Sequence, residues 1–110
     1  MTTNNGNLVD VSFDEALGLI CSKKSKIIWL GREPIEYISN LLDLPKGSIV
    51  AIDPDEMMHA DMEKTRSFDS KILMCYHGVT SKFVGNHLKR ENINLYNLKG
   101  GITSIVGEIF

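Results

Sequence analysis

A chain of 110 residues has room for one compact core and is too short for two ordinary domains. Its 43% hydrophobic and 24% charged residues match soluble globular proteins, which argues against a disordered chain and against a fibrous repeat. A formal charge of -2 and a sequence pI near 5.9 give no general field for nucleic acid or an acidic membrane surface, so any anion site must be built locally.

The opening MTTNNGNL has neither the basic flank nor the apolar middle of a secretory leader. It predicts a cytoplasmic protein in which residues 1–7 are a flexible lead into one domain over residues 8–110. Short β-rich runs then alternate with amphipathic segments, the pattern of a mainly parallel sheet covered by helices on both faces. Leu8 to Val11 is the first expected strand. Ser12, with Glu15 three places on, forms a capping box for a helix to about Cys21, its inner face carrying Ala16, Leu17 and Ile20. Lys26 to Leu30 reads as a buried strand. Gly31 breaks it, and Pro34 opens a short helix through Ile35, Ile38 and Leu41. Ser48 to Ile52 is the next strand, followed by a helix capped by Asp53, with Pro54 first in it, running to about Lys64. Lys71 to Cys75 is a further strand, and a helix is expected from near Ser81 to near Glu91. Asn94 to Asn97 forms the last strand, after which Gly100 and Gly101 turn the chain into an amphipathic end with Ile102, Ile105, Val106 and Ile109. No apolar run approaches the roughly 18 residues that span a bilayer, so no membrane partner is expected.

The chemistry gathers at Cys75. A cysteine at the carboxyl end of an apolar strand, before a tight loop and a helix start, lies where open parallel sheets bind ligands. Gly78 lets the backbone turn sharply, which brings the amides of Tyr76 to Ser81 toward the sulfur as an anion cradle. Shifting a thiol's ionisation by about two pH units takes about 2.7 kcal/mol, and one helix end supplies only about 0.3–1 kcal/mol. Hydrogen bonds from the loop must therefore provide the remainder. The competing reading is an inert buried thiol, since free cysteine is among the most buried residue types.

The segment CYHGVTSK, followed by an amphipathic helix and NLYNLKGGI, resembles the active-site half of rhodanese domains, where CxxGxxS precedes a helix, a strand and a GG turn. It is most similar to single-domain bacterial thiosulfate sulfurtransferases. WLGREPIEY likewise resembles the family's DxREPxEY stretch, with Arg32, Glu33, Pro34, Glu36 and Tyr37 in matching places. Leu30 stands where the family usually has Asp, SNLLDLPKG, which contains Asp43, lacks the His of a GHIPGA-like segment, and Thr80 replaces an Arg common before the loop serine.

The resemblance implies a rhodanese-like α/β fold and a sulfur transfer through a Cys75 persulfide. The anion would sit on Tyr76, His77, Gly78, Val79, Thr80, Ser81 and Lys82. The implied partners are a small sulfur-containing anion such as thiosulfate and a thiol or sulfur-carrier acceptor, without metal or organic cofactor. Two other classes compete. A Cys-dependent phosphatase or arsenate reductase needs CxxxxxR, and Ser81 occupies the arginine position. A noncatalytic rhodanese-like module is the reading to which Leu30, Asp43 and Thr80 lend weight.

The remaining candidates have plainer roles. Arg32 is expected to anchor carboxylates, His77 to form local hydrogen bonds, Ser81 to act as a helix cap, and Lys82 to attract an anion or sit as solvated surface charge. Cys21, Met57, Met58 and Met62 are expected to pack in the core, both thiols being reduced. His59 and His87 fall on predicted helices without metal-ligand spacing.

Overall fold

Successive side chains of a strand point to opposite faces of its sheet, so a continuous apolar run needs helices on both sides. The computed structural model describes residues 6–109 and meets this need in full. Five strands, β1 (Leu8–Val11), β2 (Ile27–Trp29), β3 (Ile49–Ala51), β4 (Ile72–Met74) and β5 (Leu95–Leu98), form one parallel sheet. Their order is β1-β5-β4-β2-β3, which puts β4 at the centre. The connecting helices are α1 (Phe13–Cys21), α2 (Ile35–Leu42), α3 (Pro54–Met58), α4 (Met62–Arg66) and α5 (Val79–Leu88), with α6 (Thr103–Val106) after β5.

The period of two divides the core into two layers. Ile27 and Trp29 of β2 join Ile72 and Met74 of β4 in the layer that also takes Ala16, Ile20, Ile38, Leu42 and Ile102. Ile28 and Leu73 point the other way, into a layer with Leu30, Met57, Cys75, Val84 and Leu88. The expected inner strands β2, β3 and β4 are each one residue shorter at either end, since only their middles pair in the ladder. Among the described residues no helix is long and apolar enough to cross a membrane.

Local chemistry sets the helix starts. Ser12 Oγ accepts from the Glu15 amide at 3.1 Å while the Ser12 amide donates to Glu15 Oε1 at 3.0 Å, the reciprocal capping box expected for α1. Asp53 Oδ1 accepts from the Asp55 amide at 2.9 Å and caps α3. The helix expected from Pro54 to Lys64 is instead broken after Met58. Asp61 starts a new helix by accepting from the Lys64 amide at 2.8 Å, a local bond that competes with helix continuation. Met57, in α3 before the break, is buried, whereas Met62, expected in the core, is half exposed.

Three further expectations are corrected. Cys21 is exposed at the end of α1, because one residue beyond buried Ile20 the helix has turned about 100° away from the core. α5 opens at Val79, two residues before Ser81, so Ser81 lies inside its first turn and Gly78 occupies the cap position. Ile109 is exposed, since α6 ends at Val106 and Gly107 adopts a φ of 82°. Of the expected flexible lead, residues 1–5 lie outside the described residues. The Gly6 amide donates to the Lys89 carbonyl at 2.8 Å and the Asn7 amide to Asn94 Oδ1 at 3.0 Å.

Removing the α1 cap tests whether this box contributes to global stability. Ser12→Ala is expected to lower the unfolding free energy by about 1 kcal/mol in a urea titration, with the alkylation rate of Cys75 unchanged.

Candidate active site

Cys75 is the first residue after β4, at the carboxyl end of the central strand, and only 3% of it meets solvent. The chain turns there because Gly78 takes a φ of 84°, a left-handed conformation that costs other residues about 1–2 kcal/mol. A Cβ at Gly78 would also lie 3.0 Å from the Gly100 nitrogen. The turn aims two amides at the sulfur: Gly78 N–H at 3.1 Å and Ser81 N–H at 3.3 Å. Ser81 Oγ lies 3.2 Å from Sγ on the same side. Expected to cap α5, Ser81 instead has its hydroxyl fully buried between the sulfur and β5.

The loop is held from behind by the Gly100-Gly101 turn. Ile102 N–H donates to the Cys75 carbonyl at 2.9 Å and Thr103 N–H to the Tyr76 carbonyl at 3.0 Å. Gly101 lies so close that a Cβ there would meet the Tyr76 carbonyl at 2.5 Å. A second hold comes from the segment after β2. Tyr76 Oη donates to Glu33 Oε1 at 2.6 Å and accepts from the Arg32 amide at 2.9 Å. Its ring packs edge-on against buried Trp29 with centroids 5.2 Å apart. Burial, reinforced by the Glu33 carboxylate, raises the Tyr76 phenol above its ordinary range, so it stays a donor at neutral pH.

A chain of side chains runs from the sulfur to the edge strand. Ser81 Oγ donates to Asn97 Oδ1 at 2.5 Å, and Asn97 Nδ2 donates to Asp10 Oδ1 at 3.0 Å. Asp10 and Asn97 are direct register partners on β1 and β5. Lys82 Nζ sits 3.6 Å from Asp10 Oδ2. The Asn97 hydrogen bond, opposed by slight burial and helped by Lys82, lowers the Asp10 carboxyl below its ordinary value. Neither Asp10 nor Asn97 stood out in the sequence. The available signal was a polar residue within each of the apolar strand sequences LVDV and LYNL.

The other expected site residues divide. His77 is exposed and its Nε2 pairs with Glu108 Oε2 at 3.0 Å, a surface contact like that expected of it. Val79 is 74% exposed. Thr80 lines a groove of about 600 Å³ beside the loop, together with Leu30, Arg32, Asp53, Asp55 and Tyr76. Arg32 thus shares the groove with two carboxylates, while its backbone holds Tyr76. Leu30 packs in the same core layer as Cys75, and Asp43 closes α2 with a φ of 52°. His59, just past α3, bonds back to it, its Nδ1 lying 2.8 Å from the Asp55 carbonyl, and His87 is on exposed α5 surface.

This architecture is an open parallel α/β sheet with a cysteine-bearing loop at its carboxyl edge. No family model matches the sequence, and no curated protein matches it. Solved structures match the fold. A rhodanese-related protein from Thermoplasma volcanium superposes with a TM-score of 0.65 at 20% identity, over 93% of this chain and 94% of that one. A Staphylococcus saprophyticus protein gives 0.65 at 16% identity over 92% and 96%. A human single-domain sulfurtransferase gives 0.62 at 11% identity over 92% and 97%. The chain has a rhodanese-like fold.

Two outcomes follow from the geometry. Gly78→Val is expected to turn the cradle amides away, moving the pH profile of Cys75 alkylation by iodoacetamide upward while far-UV circular dichroism stays native. For Asp10, a carboxyl lowered in the folded state adds stability above the ordinary value of 3.8, and loses it as pH falls through its own lowered value. Asp10→Asn should therefore be less stable than the parent at neutral pH, and the difference should close in strong acid, as read by thermal unfolding across pH.

Proposed function

We propose that this protein is a rhodanese-type sulfurtransferase that carries sulfane sulfur on Cys75. The observation that carries the reading is the pair of amides, from Gly78 and Ser81, converging on a sulfur at the carboxyl end of the central strand. Two N–H donors and the amino end of α5 stabilise negative charge on a thiolate, and then on the persulfide anion that replaces it.

In the first step the Cys75 thiolate attacks the outer sulfur of thiosulfate or of a persulfide donor. The donor's S–S bond breaks with its electron pair on the leaving group, sulfite in the case of thiosulfate, and a new S–S bond forms on Cys75. In the second step a thiol or sulfur-carrier acceptor, as its thiolate, attacks the outer sulfur. The Cys75 thiolate leaves with the electron pair. This is covalent catalysis in two displacements, and ping-pong kinetics are its signature. The near-complete burial of Cys75 suits a slender terminal sulfur better than a bulky group. Phosphoryl transfer fits less well, because buried Ser81 stands where a guanidinium would clamp the phosphate oxygens.

Incubation with thiosulfate or a low-molecular-weight persulfide, followed by intact mass and peptide mapping, should add one sulfur atom at Cys75. Cys75→Ser should abolish the addition, and phosphate-ester hydrolysis should be negligible beside sulfur transfer. Sulfur found on Cys21 in Cys75→Ser, or efficient ester hydrolysis without sulfur loading, would overturn the proposal. A folded protein that loads no sulfur from either donor would point instead to a noncatalytic binding module.

A further inference from the structure

The chain from buried Cys75, Ser81 and Asn97 out to exposed Asp10 has a direction. A carboxylate only accepts hydrogen bonds, so the Asn97 amide must present Nδ2 to Asp10, and this leaves Oδ1 facing Ser81. Oδ1 in turn accepts the single Ser81 hydroxyl hydrogen. Ser81 Oγ then has only lone pairs to offer the sulfur at 3.2 Å, and the group it suits is a protonated thiol that donates to it.

We propose that Asp10, acting through Asn97 and Ser81, is a positioning residue that biases resting Cys75 toward the thiol. The inference rests on Cys75 being the reactive centre proposed above, but the protonation bias itself does not require sulfur transfer. When the thiol loses its proton to solvent, the Ser81 hydroxyl must choose between two acceptors. Kept on Asn97, it turns its lone pairs toward the new anion. Rotated to the sulfur, it strands Oδ1 of Asn97, a residue only 2% exposed, without its donor. An amide flip would relieve this by offering Nδ2 to Ser81, but it would bring Oδ1 against the Asp10 carboxylate. Asp10 therefore blocks the arrangement in which amides and hydroxyl alike donate to a thiolate. The two backbone amides and the side-chain chain pull the sulfur in opposite directions.

None of the other charged and titratable groups around the loop bonds to Ser81 or Asn97: Asp53 and Asp55 line the groove beside Thr80, and Lys99, like Lys82, acts on Asp10 alone. His77 pairs with Glu108, Tyr76 binds Glu33 beside Arg32, and Lys82 lies against Asp10 itself. Direct charge repulsion from Asp10 and control through Asn97 predict the same sign for one substitution but different coupling. That difference makes the test decisive.

The experiment measures the alkylation rate of Cys75 by iodoacetamide across pH in the Cys21→Ser background, with circular dichroism as a check on folding. Asp10→Asn removes the lock at a partly exposed position, and Asn97→Leu removes the middle of the chain at similar volume. Each should move the profile downward by about one pH unit, giving about tenfold faster alkylation below the midpoint. In the Asn97→Leu background, Asp10→Asn should add almost nothing, since its route is gone. Glu108→Gln, which removes an exposed carboxylate on the loop's other flank, should leave the profile in place. An unmoved profile in folded Asp10→Asn would overturn the proposal. So would an equal shift from Asp10→Asn with and without Asn97, or from Glu108→Gln, because either result makes the effect one of charge through space. If Asn97→Leu fails to fold, Ser81→Ala, which removes the hydroxyl that ends the route, takes its place, and in that background Asp10→Asn should again add almost nothing. Sulfur loading is measured separately on the same proteins, so its absence would sink the transferase reading without touching the alkylation result.

Discussion

The loop at Cys75 keeps its shape because its first two carbonyls are taken from behind. Cys75 and Tyr76 would otherwise leave two carbonyls without these partners at a strand end, and Ile102 and Thr103 supply the amides. With those carbonyls fixed backward, the following turn can bring the amides of Gly78 and Ser81 forward onto the sulfur. Contact this close between two backbones leaves no space for a side chain, which is why Gly101 sits against the Tyr76 carbonyl. The two glycine-bearing turns are thus one device assembled from β4 and β5, and the sheet supplies its registration.

Parallel strands deliver all their carboxyl ends to one edge, so segments remote in sequence meet there. The stretch after β2 supplies the lateral wall: Trp29 packs against the Tyr76 ring, and Glu33 and Arg32 bind its hydroxyl. Trp29 is itself tied down by a bond from Nε1 to the Glu33 carbonyl at 3.1 Å. This gives the REP portion of WLGREPIEY a structural role in positioning the loop. Asp53 and Asp55, after β3, complete the groove in front. Four strand ends therefore contribute to the loop or its surroundings, with β1 adding Asp10 through Asn97.

Most of the fold was legible in the sequence because it rests on periodicity and caps, which are local. The five strands and the capping box at Ser12 follow from apolar runs and from a serine spaced three residues before a glutamate. What escaped depends on competition or on distance. Asp61 re-caps a segment whose composition also suits an unbroken helix, and the two short helices that result bury Met57 and Thr65 separately. Cys21 misled because cysteine is commonly buried, whereas its phase on α1 places it outside. At the site, Cys75 and Gly78 stood out through their place between strand and helix. Asn97 and Asp10 did not, because their importance comes from register across β1 and β5, which no single segment encodes.

Buried among Leu30, Met57, Leu73 and Val84, the sulfur sits in surroundings of low polarity, where each hydrogen bond counts for more than at the surface. Such surroundings disfavour an anion that has no donors, and they magnify the effect of every donor that is present. Leu30 sharpens this balance, since a carboxylate in its place would add negative charge to the layer that holds Cys75. The state of the sulfur is then governed by a small number of oriented groups: two amides fixed by backbone geometry and one hydroxyl whose hydrogen is already engaged by Asn97. The amides cannot turn without undoing the loop, whereas the hydroxyl turns about a single bond. The adjustable part of the site is therefore Ser81, whose hydroxyl hydrogen is held by Asn97, itself tied to Asp10.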